Sequence, residues 1–387
     1  VLLGLAVATG CAKSSQVGSD AKASAENADD GDDSASDDSA APDSEPADDS
    51  DPAPASDGAE NACVPSSPDD PQGTPDDPPG SANGGVDPSE FARLEADQFG
   101  TPALIANTFS LAEGPVWDPC TKRLLFVDVE ARQIHTLESD GSVGVYFEPT
   151  NYANGLAFDP QGRLLMAEMG GGKGGGISRL NRALELETVI NHDPACGMLN
   201  TTDDLVVRSD GTIYFTDPVI AHGNYLGFSL TAKPIYRLEP GSGRRVLVRE
   251  GQASLPNGIR LSPDETTLYA VGYLEGRVRR FAVAEDGSLT EAATPFATGL
   301  TTPDSMCVDA AGNLYVGVSR GLQVFRSDGS AVTLIPIASS SGTTNCAFGG
   351  EDGKTLFITA WSSLWQLDNV PIPGNDWERN RDMPCEQ

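Results

Sequence analysis

Glu113, Asn154, Asp203, Asn257, Asp304 and Thr344 follow one another at intervals of 41, 49, 54, 47 and 40 residues. Each stands four residues ahead of the last apolar residue of a short strand-like run. Five of the six carry a carboxylate or amide oxygen, the ligand type that a hard cation such as Ca²⁺ takes. If the fold brings them to one point, the carboxylates raise one another's pKa, a cost that a bound cation relieves. Each position alone also reads as turn chemistry, because Glu-Gly, Asn-Gly and Asp-Ser before a strand suit left-handed or Asx turns. Five at one register argue for a site.

The elements that must position these residues are short. After Phe99 no long 3.6-residue period occurs, and Val/Ile/Leu/Phe/Tyr runs alternate with Asp-Gly, Pro-Asp and Gly-Asn turns. The recurring unit is a polar residue, an apolar strand, a turn and a second apolar strand. It reads GPVWDPCTKRLLFVD, NGLAFDPQGRLLMAE, DLVVRSDGTIYFTD, NGIRLSPDETTLYAV, SMCVDAAGNLYVGV and CAFGGEDGKTLFIT. The first strands end at Trp117, Phe158, Val207, Leu261, Val308 and Phe348, a spacing that suits four-stranded propeller blades. The fold class is all-β: a six-bladed β-propeller over 87–387, preceded by a disordered acidic N-terminal linker. PALIANTF, before the first unit, lacks a hairpin partner and is assigned as the outer strand of the last blade. Asp87-Pro88-Ser89-Glu90 is a capping-box-like start for a short helix through Phe99. In such a ring the inner strands line a channel, and the six positions gather at one end of it.

These motifs resemble the SMP-30/gluconolactonase/regucalcin-like family of six-bladed propellers. The resemblance covers nearly all of 101–370 and rests on AEGPVW, NGLAFDPQGRL, DDLVVRSDGTIYFTDP, LPNGIRLSPDE, PDSMCVDAAGNLYV and TNCAFGGEDGKTLFITA. It implies a divalent cation, usually Ca²⁺, at the channel mouth, held by Glu113, Asn257 and Asp304 with a further contribution from Asp203. It also implies a catalytic role for Asp304 and hydrolysis of a lactone, with Asn154 orienting the substrate. Asp203-Asp204 stands where the family often has Asn-Asp. With Ser305 after Asp304, that pair looks more like the drug-responsive staphylococcal lactonases than the sugar gluconolactonases. Two other readings stay open at this point: a phosphotriesterase-like hydrolase on the same scaffold, and a non-catalytic surface module with structural calcium.

Composition bounds the partners. There are 57 acidic and 25 basic residues, a net charge of −32, which argues against nucleic acid or an anionic membrane surface. Only three His are present, and no His/Cys cluster suggests zinc. No G-x-S-x-G elbow occurs, and Gly170–Gly176 lacks phosphate-loop spacing, so that run reads as a flexible hairpin loop. His192, His222, Tyr152, Tyr225 and Trp361 fall in loops that border the mouth or pack its rim. The expected substrate is a small lactone or ester, on a monomeric protein.

Residues 1–10 read as the apolar h-region of a signal peptide cut short at its basic end. Ala8-Thr9-Gly10-Cys11 resembles a bacterial lipobox, making Cys11 a lipidation site. The protein is then an exported envelope lipoprotein touching membrane only through that anchor; an ordinary secretory signal is the other reading. Residues 12–90 hold 21 acids, two Lys and no aromatic residue, and so cannot form a core. The stretch 11–86 is a linker from the anchor to the propeller. In an oxidising compartment six further cysteines can pair. Cys120 with Cys385 is the first pair to test, whereas Cys307 and Cys346, inside apolar strands, are expected as buried thiols.

Overall fold

The computed structural model describes residues 90–172, 174–193, 197–219, 234–240, 246–252 and 255–385. The apolar leader, Cys11, the acidic stretch, Cys63, Cys196, His222 and Tyr225 lie outside the described residues.

Each repeat unit folds as an antiparallel sheet whose strands run in sequence order from the inside outward. The inner strands are Ala112–Asp118, Ala153–Phe158, Leu205–Val207, Pro256–Leu261, Met306–Val308 and Asn345–Gly349, which define blades 1 to 6. Each lies against the next and the sixth against the first, so the sheets close into a six-bladed β-propeller. The outermost strand of blade 6 is Ala103–Ala106, paired with Ser363–Leu367. The segment ahead of the first repeat thus closes the ring, as its missing hairpin partner required.

The blades hold together through six apolar clusters, one between each pair of neighbours. Val116 and Leu125 meet Leu156 and Leu164 between blades 1 and 2. Val206 and Tyr214 meet Ile259 and Leu261 between blades 3 and 4. Tyr315 and Phe348 pack edge to face at 5.2 Å between blades 5 and 6. Inner strands are therefore apolar on both faces, and each buried side chain contributes about 1.5–3 kcal/mol.

Two expectations are corrected. No α-helix spans 90–99 among the described residues; a 3₁₀ turn at Ala96–Gln98 takes its place. Leu94 is buried with Phe91 and Phe99 against blades 5 and 6, and Arg326 Nε donates to the Leu94 carbonyl at 2.9 Å. That carbonyl and the extended path are unavailable to a helix. Cys307 and Cys346 are buried, yet they form a disulfide joining the inner strands of blades 5 and 6, with Cα atoms 5.6 Å apart. Cys120 and Cys385 are bonded as anticipated.

The C-terminal segment crosses the end of the ring where inner strands finish. Ala310 N–H of blade 5 donates to the Pro373 carbonyl, and Trp377 Nε1 donates to the Gly350 carbonyl on blade 6. In the helix α1 (Asn375–Asn380), Arg379 bonds the Val207 carbonyl on blade 3 and Glu265 on blade 4. Met383 packs between blades 1 and 2, and Cys385 is tied to Cys120 on blade 1. Every blade is touched, and the site residues lie at the opposite end.

Candidate functional site

The polar residues sit where the inner strands begin, and local irregularities turn them inward. Ladder register shifts between Glu113 and Val116, between Ala153 and Leu156, and between Pro256 and Ile259. Such bulges re-aim a side chain, here at Glu113, Asn154 and Asn257. Two residues ahead of Asn154, Asn257 and Asp304 stand Tyr152, Leu255 and Thr302, with φ of 59°, 59° and 47°. Left-handed non-glycine residues cost on the order of 1–3 kcal/mol each, and the same kink recurs at three blades.

The glycine after each of three site residues allows the inner strands to converge. A Cβ on Gly114 would stand 2.0 Å from the Asn154 carbonyl oxygen, and one on Gly258 2.4 Å from Ser305 Cα. Gly155 N–H donates to the Asp203 carbonyl at 2.8 Å, and Gly258 N–H to the Asp304 carbonyl at 3.2 Å. These glycines are thus contact points between blades, beyond the turn chemistry that their sequence context suggests.

Glu113, Asn154, Asp203 and Asn257 are buried, and Asp304 is partly exposed at the mouth. Asn154 Nδ2 donates to Asp203 Oδ1 at 2.9 Å. Burial pushes Glu113 well above the usual carboxylate range, reinforced by the charges of Asp304 and Asp203. Burial likewise raises Asp203 to about 8, with the charges of Asp304 and Asp204 adding to it. Asp304 rises to about 6 through burial, while the Asn257 amide favours its charged form. Thr344, the sixth position, takes no part: its Oγ1 donates to the Ala112 carbonyl at 2.8 Å and fastens blade 6 to blade 1.

Among the described residues no group of three or more His, Cys, Asp or Glu side chains stands ready to hold a metal ion. The donor chemistry still suits a hard cation, because carboxylates that resist ionisation together are stabilised by one.

A layer just behind holds Asp204, Arg260, Ser305 and Asn345, all buried; sequence reasoning noted Asp204 and Ser305 only for the family resemblance and missed Arg260 and Asn345. It also missed Tyr273, whose phenol pKa is raised by burial and by the nearby Asp304 charge. One position later in the repeats stand Gly114, Gly155, Asp204, Gly258, Ser305 and Asn345, so three of the four layer residues share a register that Arg260 does not. Of the loop candidates, Tyr152 and Trp361 pack against the cluster between blades 1 and 2, where Tyr273 joins them. His192 is half-buried on a short strand paired with Gly197–Met198. The glycine run forms a 3₁₀ turn at Gly170–Gly172, and Gly175 is packed tightly, a Cβ there falling 2.5 Å from Thr202 N.

A ring of six blades with an acidic, strained mouth defines a class of propeller, and sequence comparison narrows it. Residues 111–362 match the SMP-30/gluconolactonase/LRE-like region, and the chain belongs to that family. It is 29% identical over 290 residues to a gluconolactonase of Zymomonas mobilis subsp. mobilis, covering 66% of this chain and 78% of the relative. It is 30% identical over 232 residues to the lactonase drp35 of Staphylococcus epidermidis, covering 57% of this chain and 64% of that one. A solved gluconolactonase from Xanthomonas campestris superposes with a TM-score of 0.63 at 30% identity, covering 79% of this chain and 99% of the other.

Proposed function

We propose that the protein hydrolyses lactones, with Glu113, Asp203, Asn257 and Asp304 holding a Ca²⁺ ion at the channel mouth. The observation that carries this is that buried Glu113 on blade 1 and Asp203 on blade 3 are both raised by the charge of Asp304 on blade 5. Relatives named gluconolactonase and lactonase support the reaction class. When bound, the cation supplies Lewis-acid polarisation of the substrate carbonyl and compensates charge on its oxygen. Asp304, partly exposed, accepts a proton from the water that attacks the carbonyl carbon. Asp304 then returns that proton to the ring oxygen as the ring C–O bond breaks, leaving a hydroxy acid. Asn154 holds Asp203 through its nitrogen and keeps Oδ1 for substrate, since that oxygen accepts no hydrogen bond among the described residues.

The test is turnover of a panel of lactones and phosphotriesters by chelator-stripped protein, with and without added CaCl₂. Calcium-restored lactone opening supports the reading, and turnover of phosphotriesters alone overturns it. The same reading anchors the protein in the cell envelope through lipidated Cys11. Radiolabelled palmitate should then enter the precursor in a bacterial host but not the Cys11→Ala variant.

A further inference from the structure

Behind the acidic mouth lies a second polar layer with Asp204 as its hub. Asp204 Oδ2 accepts from Arg260 Nη1 at 2.7 Å, from Ser305 Oγ at 2.7 Å and from the Ile259 N–H at 3.3 Å. Its Oδ1 accepts the Leu205 N–H at 2.9 Å. One carboxylate thus gathers donors from blades 3, 4 and 5. The anchored guanidinium extends its other terminal nitrogen, Nη2, to Asn345 Oδ1 at 3.4 Å on blade 6.

Asn345 Oδ1 also accepts the Cys346 N–H at 2.8 Å. With the carbonyl oxygen facing two donors, the amide has one allowed orientation, and its nitrogen must face an acceptor. That acceptor is Glu113 Oε2, 3.3 Å from Nδ2. The Gly114 N–H donates to the same oxygen at 3.0 Å. Oε1 accepts no hydrogen bond among the described residues.

We propose that Asn345 and Arg260 are positioning residues for Glu113: Arg260, fixed by Asp204, orients the Asn345 amide, which pins Oε2 and leaves Oε1 to the cation. Partners of this kind set the orientation of a ligating carboxylate, and losing one typically costs about 10–100-fold in metal affinity. Lys at 260 keeps the charge opposite Asp204 but loses the planar fork whose two separate nitrogens reach Asp204 and Asn345. The inference rests on the calcium reading above.

Calorimetric titration of chelator-stripped protein with CaCl₂ tests it, on wild type, Asn345→Ala, Arg260→Lys and the double variant. Both single variants should bind calcium roughly 10-fold or more weakly, and the double variant within about threefold of the weaker single, because the two act in series. Thermal melts in chelator serve as the check on folding. A role in stability alone would lower those melts and leave the calcium Kd unchanged. Single-variant Kd values within about threefold of wild type, or losses that multiply in the double variant, overturn the positioning role while calcium binding by wild type stands. Wild type that takes up no calcium overturns the calcium reading and this inference with it.

Discussion

At the scale of single residues, the three acids of raised pKa at the mouth make the apo protein sensitive to pH. Their folded pKa values lie above the unfolded value near 4, with Asp304 at about 6 and Asp203 at about 8. Over that window the folded chain holds protons that the unfolded chain has released. Unfolding free energy therefore falls as pH rises from about 4 to about 8. On the proposed calcium reading the ion displaces those protons, so its stabilising effect should grow with pH. Melts in chelator and in excess CaCl₂, at about pH 5 and about pH 8, should show the larger calcium gain at the higher pH. An equal gain at both would mean that the acids are ionised without the metal.

At the scale of elements, the glycine that follows a site residue brings neighbouring inner strands together. Gly258→Ala would drive a Cβ to 2.4 Å from Ser305 Cα, which is backbone and cannot rotate away. Overpacking of this kind costs about 1–3 kcal/mol, and the variant should melt several degrees lower and bind calcium less tightly. An unchanged melting temperature would show that blades 4 and 5 have slack at the mouth. These contacts mark where sequence reading succeeds and where it stops. The hairpin units and the closing strand at Ala103–Ala106 are legible, because apolar runs and turn residues repeat with the blades. The first polar layer is legible as five oxygen-bearing residues at one register. The second layer is not, because alternation along a strand sends residue i+1 to the other face. Asp204 and Ser305 instead lie ahead of their strands, where alternation does not apply. The Cys307–Cys346 bond is invisible for a related reason, as it depends on which inner strands adjoin around the ring.

At the scale of the whole molecule, the C-terminal segment ties all six blades together at the end opposite the site. The Cys120–Cys385 bond closes a loop of 265 residues, worth about 5 kcal/mol in the chain-entropy view. Cys385→Ser should lower the melting temperature by roughly 10 °C with little change in activity at 25 °C. Lost activity at that temperature would connect the strap to the mouth. The division of labour at the mouth itself is the central claim, and activity against calcium concentration for Asp304→Asn and Glu113→Gln tests it most directly. Asp304→Asn keeps the proposed oxygen ligand but removes the proposed base, so kcat should fall by roughly 100-fold or more even at saturating calcium. Glu113→Gln should shift the calcium requirement upward and recover much of its activity in excess calcium. Full rescue of Asp304→Asn by calcium, or no change in calcium dependence for either variant, would contradict the account.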